Sequence, residues 1–146
     1  MKESLAKLAA ILHDTPARLN RITEAESEKH PAPGKWSKKE ILGHLIDSAS
    51  NNHQRFVRAQ LEPRMTFPGY EQELWIGVQH YQLESWKTLV QVWESLNRHL
   101  LHVISQIPED KRANLCAIER NDPVTLEFLV GSYLQHLEHH LNQILG

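Results

Sequence analysis

Cysteine is almost missing from this chain. A single one, Cys116, stands among 146 residues, so no internal disulfide can form, and the scarcity suits a reducing, cytoplasmic setting. There is no surplus of positive charge either. Sixteen basic residues face eighteen acidic ones, for a formal net charge of −2 and a pI near 6.5. No basic field exists to condense on phosphates, so nucleic acid is excluded as an expected partner. Apolar runs stay short: Leu8-Ala9-Ala10-Ile11-Leu12 is typical, far below the ~18 residues of a membrane span. The opening MKESLAKL has no extended apolar core and no small-residue cleavage site, so a secretory leader and a membrane partner are not expected. Internal repeats, low-complexity tracts and composition breaks are absent too. With 40% hydrophobic and 23% charged residues, the composition excludes disordered and fibrous classes and fits one domain over 1–146.

What is present is helical periodicity, with apolar residues recurring at three- and four-residue spacing between prolines. The fold class this predicts is all-α, a four-helix bundle. The first segment covers Lys2 to Glu28, with Thr15-Pro16 kinking or restarting it. The second starts at a capping box, Ser37 with Glu40, with Trp36 and Ile41 placed as a hydrophobic staple, and runs to Gln60. A polar connection over Glu62–Tyr70 leads to a long helix from Glu71 to Gln106, whose stripe includes Leu74, Val78, Leu89, Trp93 and Leu100. A loop holding Cys116 follows. Asn121-Asp122-Pro123 supplies a cap and first-turn proline for the last helix, which ends near Leu145.

Ten histidines, about one residue in fifteen, are the informative feature. His136 and His140 lie four apart on the last helix, so both rings leave one face and can converge on one ion. His139 competes as a partner for His136, and helical phase separates the two. Relative to the buried direction of Leu126, Val130, Tyr133, Leu137, Leu141 and Ile144, His140 lies roughly 50° away, His136 roughly 90° and His139 roughly 150°. His139 therefore faces water, while the other two sit at the edge of the core. On the second helix His44 begins a polar edge with Ser48, Asn51 and Arg55. Three neutral imidazoles with an open position form a catalytic rather than a structural zinc arrangement, and imidazole equally suits nickel, copper or iron. A solvated or core-satisfied pair is the plain alternative for His136 and His140. Asn51 and Arg55 are candidates for holding an anionic substrate group, with a surface ion pair or core-edge hydrogen bond as their plain alternative. Tyr133 lines a pocket or merely packs. Asp47 is a candidate to orient an imidazole or to serve as a fourth ligand, against capping or exposure. His13, His30 and His53 are read as solvent or loop residues and His99 and His102 as surface ones; His80 is the one that could line a pocket.

At these residues the sequence resembles the DinB/YfiT-like family of metalloenzymes. The resemblance rests on Lys35-Trp36-Ser37, Glu40-Ile41-Leu42-Gly43-His44-Leu45, Asp47-Ser48, Asn52 to Arg55-Phe56, the Trp86-to-Asn97 stretch and the closing Tyr133 to Ile144 with its His-x-x-His-His ending. It implies an up-down-down-up bundle, a homodimer, and a divalent ion, zinc or nickel, held by His44, His136 and His140. It also implies a small-molecule substrate. Characterised relatives are S-transferases and isomerases that use low-molecular-weight thiols such as bacillithiol, mycothiol or glutathione. The function so implied is a metal-dependent, thiol-using transferase, with a metal-dependent hydrolase or a non-catalytic metal-binding or dimerisation bundle as alternatives.

Overall fold

In the computed structural model, which describes Met1–Gly146, helix α1 (Lys2–Asn20) runs through Pro16 unbroken. A proline there removes the amide that would bond the carbonyl of Leu12. Arg98, from a distant part of the chain, replaces it, with Nη2 donating to Leu12 O at 3.3 Å. The break falls after Asn20 instead, and Thr23 caps a short α2 (Glu24–Glu28) by accepting from the amide of Glu26. Helix α3 (Lys38–Arg58) starts at Ser37, where both halves of the capping box form.

The long third helix of the sequence reading is two helices. After strand β1 (Arg64–Phe67), α4 (Gln72–Gln79) ends at His80, which takes the left-handed conformation at φ 51°. A 3₁₀ turn at Tyr81–Leu83 follows, and Ser85 then caps α5 (Trp86–Ser105) through the amide of Thr88. Leu74 and Val78, assigned to the buried stripe, are 64% and 75% exposed. The two connections read as loops also pair with each other. Strand β2 (Leu115–Ile118) lies parallel to β1 and antiparallel to β3 (Val124–Thr125), a minor sheet beside the helices. The last helix, α6 (Leu126–Leu145), is capped by Thr125, whose hydroxyl accepts from the amide of Phe128, and not by Asn121-Asp122-Pro123.

α1 and α3 each pack against both α5 and α6, so the diagonals of the bundle are α1–α3 and α5–α6. Direction follows from named contacts. Trp86 Nε1 donates to Leu19 O at 2.8 Å, which sets α5 antiparallel to α1. The Met1 amine meets Glu127 at 2.6 Å, which sets α6 parallel to α1. Ser37 reaches Gln82 at 2.6 Å and the His53 ring lies 5.1 Å from that of His99, so α3 and α5 run together. The order is up-down-down-up. Because α3 and α5 are parallel, the chain must travel back along the bundle between them, and residues 59–85 make that journey carrying β1 and α4. Leu42, Leu45, Phe56, Trp93, Leu100 and Leu137 are buried at the centre. The one buried ammonium, on Lys39, is compensated by Glu24 and Glu28 of α2, tying that helix to α3. No helix is long and apolar enough to cross a membrane.

Candidate metal centre

Antiparallel packing of α3 and α6 brings His44 opposite His136 and His140. The Nε2 atoms of His44 and His136 lie 3.0 Å apart. The three ring centroids are separated by 4.9, 4.8 and 4.5 Å. One ligand atom from each of the three falls within 4.8 Å of the others. His44 is only 1% exposed; on α6, His136 and His140 are half-buried and His139 is exposed, as helical phase predicts for His139. His140 is oriented from behind. Its Nδ1 donates to the amide oxygen of Gln143 at 2.8 Å, leaving the other ring nitrogen with its lone pair.

Burial, then repulsion from the neighbouring imidazoles, holds His44 and His136 down at about 4, so both are neutral at ordinary pH. Neutral imidazole is the ligating form. Nitrogens around a tetrahedral zinc at about 2.0–2.1 Å would stand roughly 3.3 Å apart, close to the His44–His136 separation. The Nδ1 atom of His44 is buried with no partner. An all-imidazole set with no carboxylate closing it fits a borderline divalent ion such as zinc or nickel and leaves an open position.

Asp47 is not a fourth member of this cluster. Its Oδ1 accepts from Tyr81 Oη at 2.6 Å and from Gln79 Nε2 at 2.9 Å. Its Oδ2 is buried and unpartnered. Burial raises its pKa against the pull of those two hydrogen bonds. The left-handed turn at His80 is what presents Gln79 and Tyr81 to the carboxylate, and Gly43 provides the room in which the Tyr81 ring lies.

A cavity of about 330 Å³ opens onto His136. Arg55 and Tyr133 line it, but Asn51 does not. The Arg55 guanidinium is half-buried, forms no ion pair, and reaches only the carbonyl of Pro68 at 3.4 Å; burial lowers its pKa. Tyr133 is 3% exposed and spends its hydroxyl on Asn97. Asn51 donates to the carbonyl of Asp47 at 2.9 Å and faces a neighbouring cavity of about 400 Å³. Tyr70, Ser48 and Glu119 also wall the His136 cavity, with Glu119 in the left-handed region at φ 54° and its carboxylate pressed over Gly69. Sequence reasoning missed Tyr70, Glu119 and Gln143 as site residues, and it read Trp36, whose ring lies 5.1 Å from that of His44, only as a staple. Only Gln143, one turn beyond His140, carried a local signal.

The other histidines are elsewhere. His80 is exposed and lines no major cavity; it is the cap of α4. His53 lies within α3, half-buried, its ring 5.1 Å from that of His99. His30 is in a loop and meets Glu40 at 2.7 Å. Cys116 is buried in β2, and burial raises its thiol pKa.

Comparison with known proteins bears on these features. The sequence model of the DinB superfamily matches residues 7–144. An Oceanobacillus iheyensis protein bearing the name "Putative metal-dependent hydrolase" is 24% identical, over 86% of this chain and 72% of the relative. YfiT of Bacillus subtilis, which bears the same name, is 20% identical over 98% of this chain and 83% of its own. The solved YfiT structure, described as having an unusual four-helix bundle topology, superposes with a TM-score of 0.81 over 99% of this chain and 85% of that one. A mycothiol-dependent maleylpyruvate isomerase superposes with a TM-score of 0.80 at 12% identity, over 98% of this chain and 60% of that one. At such identities the structural likeness is one of fold.

Proposed function

This chain belongs to the DinB superfamily, and from that premise we propose that it is a divalent-metal-dependent enzyme acting on a small molecule, of the thiol-dependent S-transferase type. The observation that carries the reading is the meeting of three imidazoles from two helices, their ligand atoms within 4.8 Å, at the edge of a cavity a small molecule can enter. His44, His136 and His140 would hold the ion, zinc or nickel, and Gln143, accepting from His140 Nδ1, would leave that ring's other nitrogen free for it. When bound, such an ion supplies a Lewis acid that lowers the pKa of a thiol or water sharing it.

The chain's own residues do the rest. Arg55 has no carboxylate of its own to pair with, and its fork of donors matches a substrate carboxylate. Burial has already removed part of its hydration, so an incoming anion recovers energy that water does not supply. Tyr133 closes the inner wall, held by Asn97. Asn51, bonded to the backbone of its own helix, limits the space on the far side of Arg55. A hydrolase is the second reading, favoured by the names of the sequence relatives; water would then take the place of the thiol.

Metal analysis of protein purified without chelator tests the premise. One equivalent is expected, lost in His136→Ala and kept in His139→Ala with both proteins equally helical. Equal losses refute the ligand set. With an electrophilic acceptor, metal-dependent consumption of a low-molecular-weight thiol supports the transferase, and metal-dependent ester cleavage without thiol supports the hydrolase.

A further inference from the structure

A second pair of imidazoles lies outside the cluster described above. His53 of α3 and His99 of α5 are far apart in the chain, and the parallel packing of those helices sets their rings 5.1 Å apart. That separation is close to the 4.9, 4.8 and 4.5 Å between the rings of His44, His136 and His140. The place is a separate one. Nine residues, two and a half helical turns, divide His44 from His53, so the two leave α3 on opposite faces, about 13 Å apart along its axis. One meets α6 and the other meets α5.

The pair keeps its lone pairs available. The planes of His53 and His99 are inclined by 58°, which lets lone pairs lying in those planes converge on one point. His102, three residues beyond His99, is stacked on it at 29° and 6.3 Å, so its lone pairs run alongside those of His99 instead of meeting them. The His53 ring forms no hydrogen bond, and its one charged neighbour is His99. Burial first, then that neighbour, lowers its pKa. No acid of either helix offsets the pair. Glu40, Asp47 and Glu94 are the acids of α3 and α5, and they are engaged by His30, Tyr81 and Arg98. Repulsion therefore opposes protonating both rings, and neutral imidazole is the ligating form. His53 is half-buried and His99 exposed, so an ion reaches them from solvent.

We infer that His53 and His99 form a second metal site, taking one borderline divalent ion between α3 and α5 with water completing its coordination. Two nitrogens and water oxygens suit a tetragonal copper(II) or nickel(II) ion, and copper(II) binds the more tightly by the Irving–Williams order. With two protein ligands instead of three it is the weaker of the two sites. Forty-six positions separate the histidines in sequence, so the unfolded chain does not present them together. Bound metal thus clamps α3 to α5 and favours folding, by about a hundredfold at a free-ion concentration a hundred times its dissociation constant. This does not rest on the reading of the His44 cluster, and either can fail without the other.

Copper(II) titration of the His136→Ala/His140→Ala chain, which keeps one imidazole of the first cluster, tests the assignment by calorimetry and electron paramagnetic resonance. One equivalent is expected at micromolar affinity, with two coordinated ring nitrogens in the spectrum and a raised melting temperature. In that background His99→Ala, at an exposed position, is expected to weaken copper at least about tenfold, since changes even to residues behind a ligand cost about 10–100-fold. It should also cancel the gain in melting temperature. His53→Gln should do the same, and His102→Ala should change neither. Binding unaffected by His99→Ala, binding lost equally in His102→Ala, or saturation only at millimolar copper would overturn the assignment and leave His53 and His99 as solvated side chains.

Discussion

Replacing Gly43 by alanine offers a demanding test of how the region around the imidazoles is built. A Cβ at 43 would fall 2.6 Å from Cε2 of Tyr81 and closer still to Cγ and Cδ2. These atoms belong to a rigid ring that is 7% exposed, so relief requires the ring or helix α3 to shift. Forcing extra volume into a packed site costs about 1–3 kcal/mol. Moving the ring also breaks the 2.6 Å bond from Tyr81 to Asp47, and a hydrogen bond to a charged group contributes roughly 1.5–3 kcal/mol. Against this, alanine is better than glycine in a helix by about 1 kcal/mol. The net expectation is a loss of about 2–4 kcal/mol, a fall in melting temperature of roughly 10 °C for a chain of this size. The control is Gly131→Ala in α6, where an added Cβ meets nothing within 4 Å and the same substitution should stabilise by about 0.5–1 kcal/mol. Urea denaturation followed by circular dichroism at the helical band reads both. A Gly43→Ala protein as stable as the parent would show that the Tyr81 ring does not rest on this backbone.

Metal-free protein should show His44 and His136 titrating near 4 rather than 6.5, read from ring proton shifts by NMR. Since the unfolded chain binds more protons than the folded one between those values, stability should be full above about 6.5 and fall as the pH drops toward 4; midpoints near 6.5 would refute the burial argument. Arg98→Ala should cost about 1 kcal/mol by leaving Leu12 O without the donor that Pro16 cannot supply. In a Pro16→Ala background, where the amide of residue 16 is restored, that cost should shrink, and an unchanged cost in denaturant titrations would remove Leu12 O from the account.

Elements specified by neighbouring residues were legible in the sequence. Ser37 and Glu40 are three positions apart and mark the start of α3 by their own chemistry. Helical phase alone separates the half-buried His136 and His140 from the exposed His139. What was not legible depends on contacts far along the chain. β1 and β2 pair residues about fifty positions apart, and four-residue strands carry too little alternation to announce themselves. The break at His80 lies inside a run whose apolar spacing continues across it, because Leu74 and Val78 keep the period while facing water. Asn121-Asp122-Pro123 has the composition of a helix start, yet Thr125, four residues after Asn121, does the capping. The cavity walls contributed by Tyr70, Glu119 and Trp36 come from connections whose approach to α6 is set by topology.

The small sheet has a consequence for how this molecule could be retuned. Pairing from Arg64 with Leu115 to Phe67 with Ile118 delivers the residues just beyond each strand, Gly69-Tyr70 and Glu119, side by side to the mouth of the His136 enclosure. The ribbon behaves as an adjustable jaw mounted on a fixed vice. The helices grip the imidazoles and need not move when the jaw is recut. A library confined to residues 68–72 and 118–121 would thus resize what is admitted while leaving the three-histidine cluster untouched, which makes this strip the place to redirect the molecule toward a new guest.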